Sequence, residues 1–364
     1  MKRWLLGLLL IGTAAGVEGQ RTSYNLCYDP CAYWACGGFE IGVEALYLKP
    51  TSCDYEYAIL DPRPFNAVET PTDLPQGKQR GIRPCYNWGF RVSAAYLSSL
   101  QCEDVTAQYT RFHNGNSADV NPGLGGLWPT LGHPRYMVET PLFTGVEADE
   151  IAAEADAKIH FDYDAADIEY GSRALVSRRR CVWLRTFYGL HYAWIDHRFN
   201  VAYQGTLMPG AADAQRFSTT VEWRRKSWGI GPRVGFDGRW ESPCGVGLCG
   251  HIAFAALGGE ARDRAFSQVD IVPVGGVPEP INETLSVRFC HRHQLFPYVD
   301  ARLGVDYLLC RGRGYQILFE VSYEFHAYIN TLRHYRFNDE RGTGAANCTN
   351  FNLDGFSLSL NIRL

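Results

Sequence analysis

The sequence predicts an all-β fold: an antiparallel, up-and-down transmembrane β-barrel of about 10–12 strands, with long extracellular loops and short periplasmic turns. Three observations carry this. Apolar and polar residues alternate in stretch after stretch, the period of strands with two unlike faces. The connections between stretches alternate long and short, so one rim of a barrel gathers the long loops and the other the short turns. The polar faces carry many charges, which a soluble sandwich would bury unpaired at high cost and a lumen tolerates.

The final stretch is the clearest. GFSLSLNIRL at 355–364 sets Phe356, Leu358, Leu360, Ile362 and Leu364 against Ser357, Ser359, Asn361 and Arg363. Its length is about what a tilted strand needs to cross a bilayer.

At the other end, Lys2 and Arg3 precede an apolar run from Trp4 to about Ala15, followed by small residues. That is the pattern of a secretory signal peptide, taken as residues 1–19. No later run reaches the roughly 18 apolar residues of a membrane helix. A Cys-containing periplasmic segment, 20–38, then leads into the barrel, 39–364. The formal net charge is −4, so no polybasic surface points to nucleic acid. The expected partners are outer-membrane lipid and small hydrophilic solutes, and the expected location is a bacterial outer membrane.

Within the barrel, Phe39, Ile41, Val43, Ala45 and Tyr47 oppose Glu40, Gly42 and Glu44. A long segment, 50–84, follows. Trp88, Phe90, Val92, Ala94 and Tyr96 oppose Gly89, Arg91 and Ser93. A short turn near Ser98 leads to a strand over about 102–112, and then comes a second long segment, 113–157. Next, Ile159, Phe161, Tyr163 and Ala165 alternate with Lys158, His160, Asp162 and Asp164, and the phase slips near Ala166, the mark of a bulge. After a turn near Arg178, Leu184, Thr186, Tyr188, Leu190, Tyr192 and Trp194 oppose Arg185, Gly189 and His191.

Residues 196–226 are less regular, with room for an extra hairpin. Trp228, Ile230, Val234, Phe236 and Trp240 oppose Gly229, Gly231, Arg233, Asp237 and Arg239. A turn near Pro243 leads to Leu248, Ile252, Phe254 and Ala256, and a long segment spans 258–294. Val299, Ala301, Leu303, Val305 and Tyr307 oppose Asp300, Arg302, Gly304 and Asp306. A turn near Arg311 leads to Ile317, Phe319, Val321, Tyr323 and Phe325 opposite Glu320, Ser322, Glu324 and His326. A last polar segment, 331–353, precedes the terminal strand. Tyr47, Tyr96, Trp194, Trp228, Trp240 and Tyr307 fall near strand ends, where aromatic girdles sit.

The polar faces then line the pore. The expected lining is Glu40, Glu44, Arg91, Lys158, His160, Asp162, Arg185, Arg233, Asp237, Arg239, Asp300, Arg302, Asp306, Glu320 and Arg363. The two signs nearly balance, which predicts weak ion selectivity.

All twelve cysteines follow the signal: Cys27, Cys31, Cys36, Cys53, Cys85, Cys102, Cys181, Cys244, Cys249, Cys290, Cys310 and Cys348. In an oxidising compartment they read as disulfide candidates. Cys53 and Cys85 flank the first long loop and could close its base. Cys27, Cys31 and Cys36 would lie on the periplasmic side, able to join other barrels or a cysteine-rich envelope protein. Their spacing lacks the tight pairs of a zinc site, so no metal or cofactor is expected. No nucleophile motif such as GxSxG appears, and no enzyme activity is expected. GIGPRVG at 229–235 resembles a phosphate loop only by glycine count, and small residues inside a strand relieve crowding.

GVEALYLKP at 42–50, SWGIGPRVGFDGRW at 227–240 and PYVDARLGVDYLL at 297–309 are similar to the major outer membrane protein family of Legionella and chlamydia-like bacteria. The resemblance spans Phe39 to Leu364. It implies an outer-membrane porin that is also a disulfide-linked structural protein of the envelope, although many outer-membrane barrels end in Phe where this chain has Leu364. The alternative function is a purely structural or adhesive barrel with a filled lumen.

Overall fold

A computed structural model describes residues 38–364 except 53–54, 62–76, 99–102, 122–125, 132–153, 178–180, 208–214, 243–244, 274–280, 312–314 and 338–343. The expected signal peptide and the first three cysteines lie outside the described residues. The strands in chain order are β1 (Gly38–Thr51), β2 (Glu56–Asp61), β3 (Lys78–Gly81), β4 (Asn87–Leu97), β5 (Glu103–Val120), β6 (Gly126–Pro129) and β7 (Glu154–Ser177). They continue with β8 (Val182–Leu207), β9 (Gln215–Glu241), β10 (Val246–Pro273), β11 (Ile281–Arg311), β12 (Gln316–Phe337) and β13 (Gly344–Arg363).

Ten of these close an antiparallel barrel in the order β1-β13-β12-β11-β10-β9-β8-β7-β5-β4. The first and last strands form the seam, with Ile41 opposite Ile362 and Tyr47 opposite Phe356. Beyond the ladder the backbones of Phe39 and Leu364 exchange hydrogen bonds of 3.1 and 2.8 Å. Closure satisfies the backbone groups that a bilayer could not. Strands β2, β3 and β6 form a separate sheet in the order β3-β2-β6.

Outward-facing residues fall into two zones. Toward the rim of the short connections they are apolar and exposed: Ile168, Leu184, Tyr188, Leu190, Ile230, Val234, Phe254, Leu303, Val321 and Leu358 are examples. Tyr96, Trp228, Trp240 and Tyr307 are exposed with them. This is the band that meets lipid. Farther along the same strands the outward residues turn polar, and the inward ones turn apolar: Ile159, Phe161, Phe199, Val201, Tyr203, Trp223, Leu257 and Val269 are buried. The strands thus run on beyond the bilayer, with water outside and a packed core within.

This inversion corrects two expectations. The apparent bulge near Ala166 is absent: β7 pairs continuously through Ala165, Ala166 and Asp167 with both β5 and β8. The apolar residues change parity there because lipid gives way to water outside, not because the backbone slips. Residues 196–226, 258–294 and 331–353, expected as loops, are largely strand, and the supposed hairpin within 196–226 is the far half of β8 and β9.

Pro232 has no N–H for a ladder, and the β9–β10 pairing steps from Arg233 to Ile230 across it. At the neighbouring Gly231 a Cβ would lie 1.9 Å from the Ala256 carbonyl oxygen. The glycines of GIGPRVG are there for strand packing.

With short turns on the periplasmic side, Cys85 and Cys290 face the cell exterior and Cys310 the periplasm. All three are exposed free thiols. A polyethylene-glycol maleimide too large to cross the outer membrane should modify Cys85 and Cys290 on intact cells and reach Cys310 only after lysis. Labelling of Cys310 on intact cells would reverse the orientation.

Candidate pore lumen

In the membrane-level half of the barrel, inward positions belong to charged residues, paired both with residues on the neighbouring strand and across strands that are not neighbours. Arg91 on β4 reaches Glu44 on β1 at 2.7 Å and Glu324 on β12 at 2.8 Å, and donates to Thr110 at 3.0 Å. Arg233 on β9 meets Asp167 on β7 at 2.5 Å, Glu169 at 3.3 Å and Asp300 on β11 at 2.6 Å. Arg185 on β8 holds Asp104 at 2.8 Å, Glu169 at 3.1 Å and Asp237 at 2.6 Å. His251 bridges Asp237 and Asp300. Arg302 approaches Glu44 at 3.4 Å and Glu320 at 3.8 Å. Near the periplasmic rim, Arg239 pairs with Asp306 at 2.8 Å, Arg173 with Asp104 at 2.9 Å and Arg363 with Glu40 at 2.7 Å. Arginine suits this work because its planar fork serves two carboxylates at once.

Between these pairs lies a cavity of about 200 Å³. Glu40, Glu44, Arg91, Arg185, Arg233, Asp237, Arg239, Asp300, Arg302 and Glu320 line it, and Asp167, Glu169, Arg173, Glu324, His251 and His326 do so as well. Its wall therefore carries six arginines against eight carboxylates. Asp306 and Arg363 are buried toward the periplasmic rim. Lys158, His160 and Asp162, expected in the lining, are not: the buried members of this part of β7 are Ala157, Ile159, Phe161 and Tyr163, so these three sit on the outer face. The apolar residues beside them had seemed lipid-facing because the inversion at Ala166 was not recognised.

An aromatic bar ends the cavity on its extracellular side. Tyr163 on β7 and Tyr328 on β12 stand eighth and third in the ring order of ten strands, on opposite walls, yet their hydroxyls share a hydrogen bond of 2.8 Å. His191 supports the joint. Its Nδ1–H donates to Asp167 at 2.5 Å, which leaves Nε2 to accept from the Tyr328 hydroxyl at 2.9 Å. Tyr298 stacks flat on the His191 ring at 4.3 Å, and its hydroxyl donates to Asp300 at 2.9 Å. Phe351 closes the row, 6.1 Å from the rings of both Tyr163 and Tyr328. All five side chains are buried.

Beyond the bar the three-stranded sheet sits inside the extracellular half. Tyr55 packs on Phe161 and Phe199, and Tyr203 donates a hydrogen bond to the Tyr57 carbonyl. Tyr57, Ala58 and Leu127 join the core. This inner sheet and the aromatic bar escaped the sequence reading: β3 and β6 are four residues each, too short to show a period. The one legible signal was the odd richness of tyrosine at inward positions next to charges.

Of the cysteines, Cys85, Cys249, Cys290 and Cys310 are free among the described residues. Cys53, the expected partner of Cys85, lies outside the described residues, as do Cys102 and Cys244.

A family model described as the Legionella pneumophila major outer membrane protein precursor matches residues 30–364. No curated protein matches the chain by sequence. Among solved structures, the outer membrane protease OmpT from Escherichia coli aligns with 10% identity and a TM-score of 0.37, over 90% of this chain and 96% of that one. A Pseudomonas aeruginosa FadL homologue aligns at 7% identity and TM-score 0.26, over 93% of each chain. The toluene transporter TodX of P. putida aligns at 7% and 0.23, again over 93% of each.

Proposed function

The chain belongs to the Legionella major outer membrane protein family and resides in the bacterial outer membrane, and from that premise we propose that it is a narrow porin-like channel. The observation that carries the reading is the charge-lined cavity enclosed by a lipid-facing barrel. Small hydrophilic solutes and ions enter the cavity from the periplasmic side, and the aromatic bar is the constriction they must pass. The size of the cavity favours ions and very small solutes over sugars or peptides.

Protein reconstituted in planar bilayers should give small, stable steps whose size scales with salt. Because six arginines face eight carboxylates and most are engaged with one another, the fixed field along the path is weak. A salt gradient across the bilayer should therefore give a reversal potential near zero. A strong preference for either sign would contradict the balanced lumen.

The Tyr163–Tyr328 closure favours a second reading, a structural barrel with a filled lumen. Silent bilayers at every voltage would select it. In either case the periplasmic cysteines fit a cross-linking role. Serine at Cys27, Cys31 and Cys36 should release monomer from non-reducing, detergent-washed envelopes, where the wild type runs as larger species. Wild-type protein that is already monomeric without reductant would end that part of the reading.

A further inference from the structure

On the outer face of the barrel, beyond the lipid-facing band and the Arg111–Asp164 pair, β5 and β7 bring together three residues with no part in the lumen. His113 stands directly opposite Asp162 in the β5–β7 ladder. His160 precedes Asp162 by two residues and shares its face. The His113 Nδ1 lies 2.7 Å from Asp162 Oδ1, and the His160 Nε2 lies 3.1 Å from Asp162 Oδ2. The two imidazoles meet edge to face with centroids 4.5 Å apart. One ligand atom from each residue falls within 4.8 Å of the others.

We propose that His113, His160 and Asp162 form a binding site for a divalent transition-metal ion of the zinc type. In a tetrahedral zinc site, ligand distances of about 2.0–2.1 Å put neighbouring ligand atoms roughly 3.3 Å apart, so small side-chain rotations bring these three into place. Two imidazole nitrogens and one carboxylate suit zinc, nickel or copper; magnesium and calcium want oxygen.

The surroundings leave Asp162 available. Three neighbouring cations pair with other carboxylates: Arg198, opposite His160 and also within the field of Asp162, with Asp196 at 3.0 Å, Lys158 with Asp156 at 2.7 Å and Arg111 with Asp164 at 3.9 Å. The His113 side chain is 56% exposed and that of His160 is 32% exposed, so a fourth position stays open to water. Paired strands give the site a rigid base, which is what holds ligands in geometry. The ion would tie β5 to β7 partway along their ladder, which continues to Val120 and Ala155.

The test uses full-length protein folded in detergent, its thiols alkylated and its metals stripped by a chelator. Equilibrium dialysis against zinc alone should load one ion per chain. Cobalt at the same site should show ligand-field bands of nitrogen and oxygen ligands without thiolate charge transfer. His113→Ala, His160→Ala and Asp162→Asn should each weaken zinc binding at least tenfold, while heat-modifiable gel mobility confirms that each variant is folded. His113→Gln and His160→Gln provide conservative replacements if an alanine variant fails to fold. Wild-type protein that takes up no zinc at about 0.1 mM, or undiminished uptake by the His113→Ala/His160→Ala double variant, would overturn the assignment.

Discussion

Replacing Tyr163 and Tyr328 together with alanine should raise single-channel conductance severalfold. The two side chains come from opposite walls and meet at 2.8 Å, so together they span the lumen. Removing both opens a gap continuous with the charged cavity. Smaller changes should grade the effect. Tyr163→Phe loses the hydroxyl contact but keeps the ring, and should raise conductance little while increasing flicker, because His191 still positions Tyr328 through its 2.9 Å contact. Conductance unchanged in the double alanine variant would mean that the path does not cross the bar, and the constriction would have to be sought in the inner sheet.

The second large effect is on stability. Arg233→Met should destabilise the folded barrel by about 3–5 kcal/mol, the usual cost of stripping the partner from buried charges. Its side chain is 2% exposed and it contacts Asp167, Glu169 and Asp300. Losing the guanidinium leaves Asp167 with His191 and Asp300 with His251, while Glu169 keeps Arg185. Reversible urea unfolding in liposomes measures the loss. Adding Asp300→Asn should recover part of it, since one uncompensated charge is then removed. A wild-type midpoint for Arg233→Met would show that water in the cavity already screens these groups.

The sequence made the lipid-facing band legible and the region beyond it illegible, for one physical reason. Alternation reports only that the two faces differ, not which solvent each one meets. From Leu184 to Trp194 the outward residues read as apolar against Arg185 and His191, and the structure has that face outward. From Ala166 toward the start of β7 the same parity carries Asp164, Asp162, His160 and Lys158 outward into water. Read as a lumen face, those residues were misplaced; read with a change of solvent, they mark the upper edge of the bilayer. Long-range partners were harder still. Nothing near Tyr163 in sequence points to Tyr328, and nothing near His113 points to Asp162. Only the ring order brings such pairs together.

The seam between β1 and β13 has a consequence for how the molecule is made. The strands it joins come from the two ends of the described chain, Glu40 against Arg363. A growing polypeptide therefore cannot complete its ring until β13 has been made. Until then β1 and the newest strand each present an unpaired edge, the feature that templates aggregation. Contacts this remote in sequence also form slowly. Removing β13 would take the partner from both β1 and β12 and leave an open sheet in place of a ring.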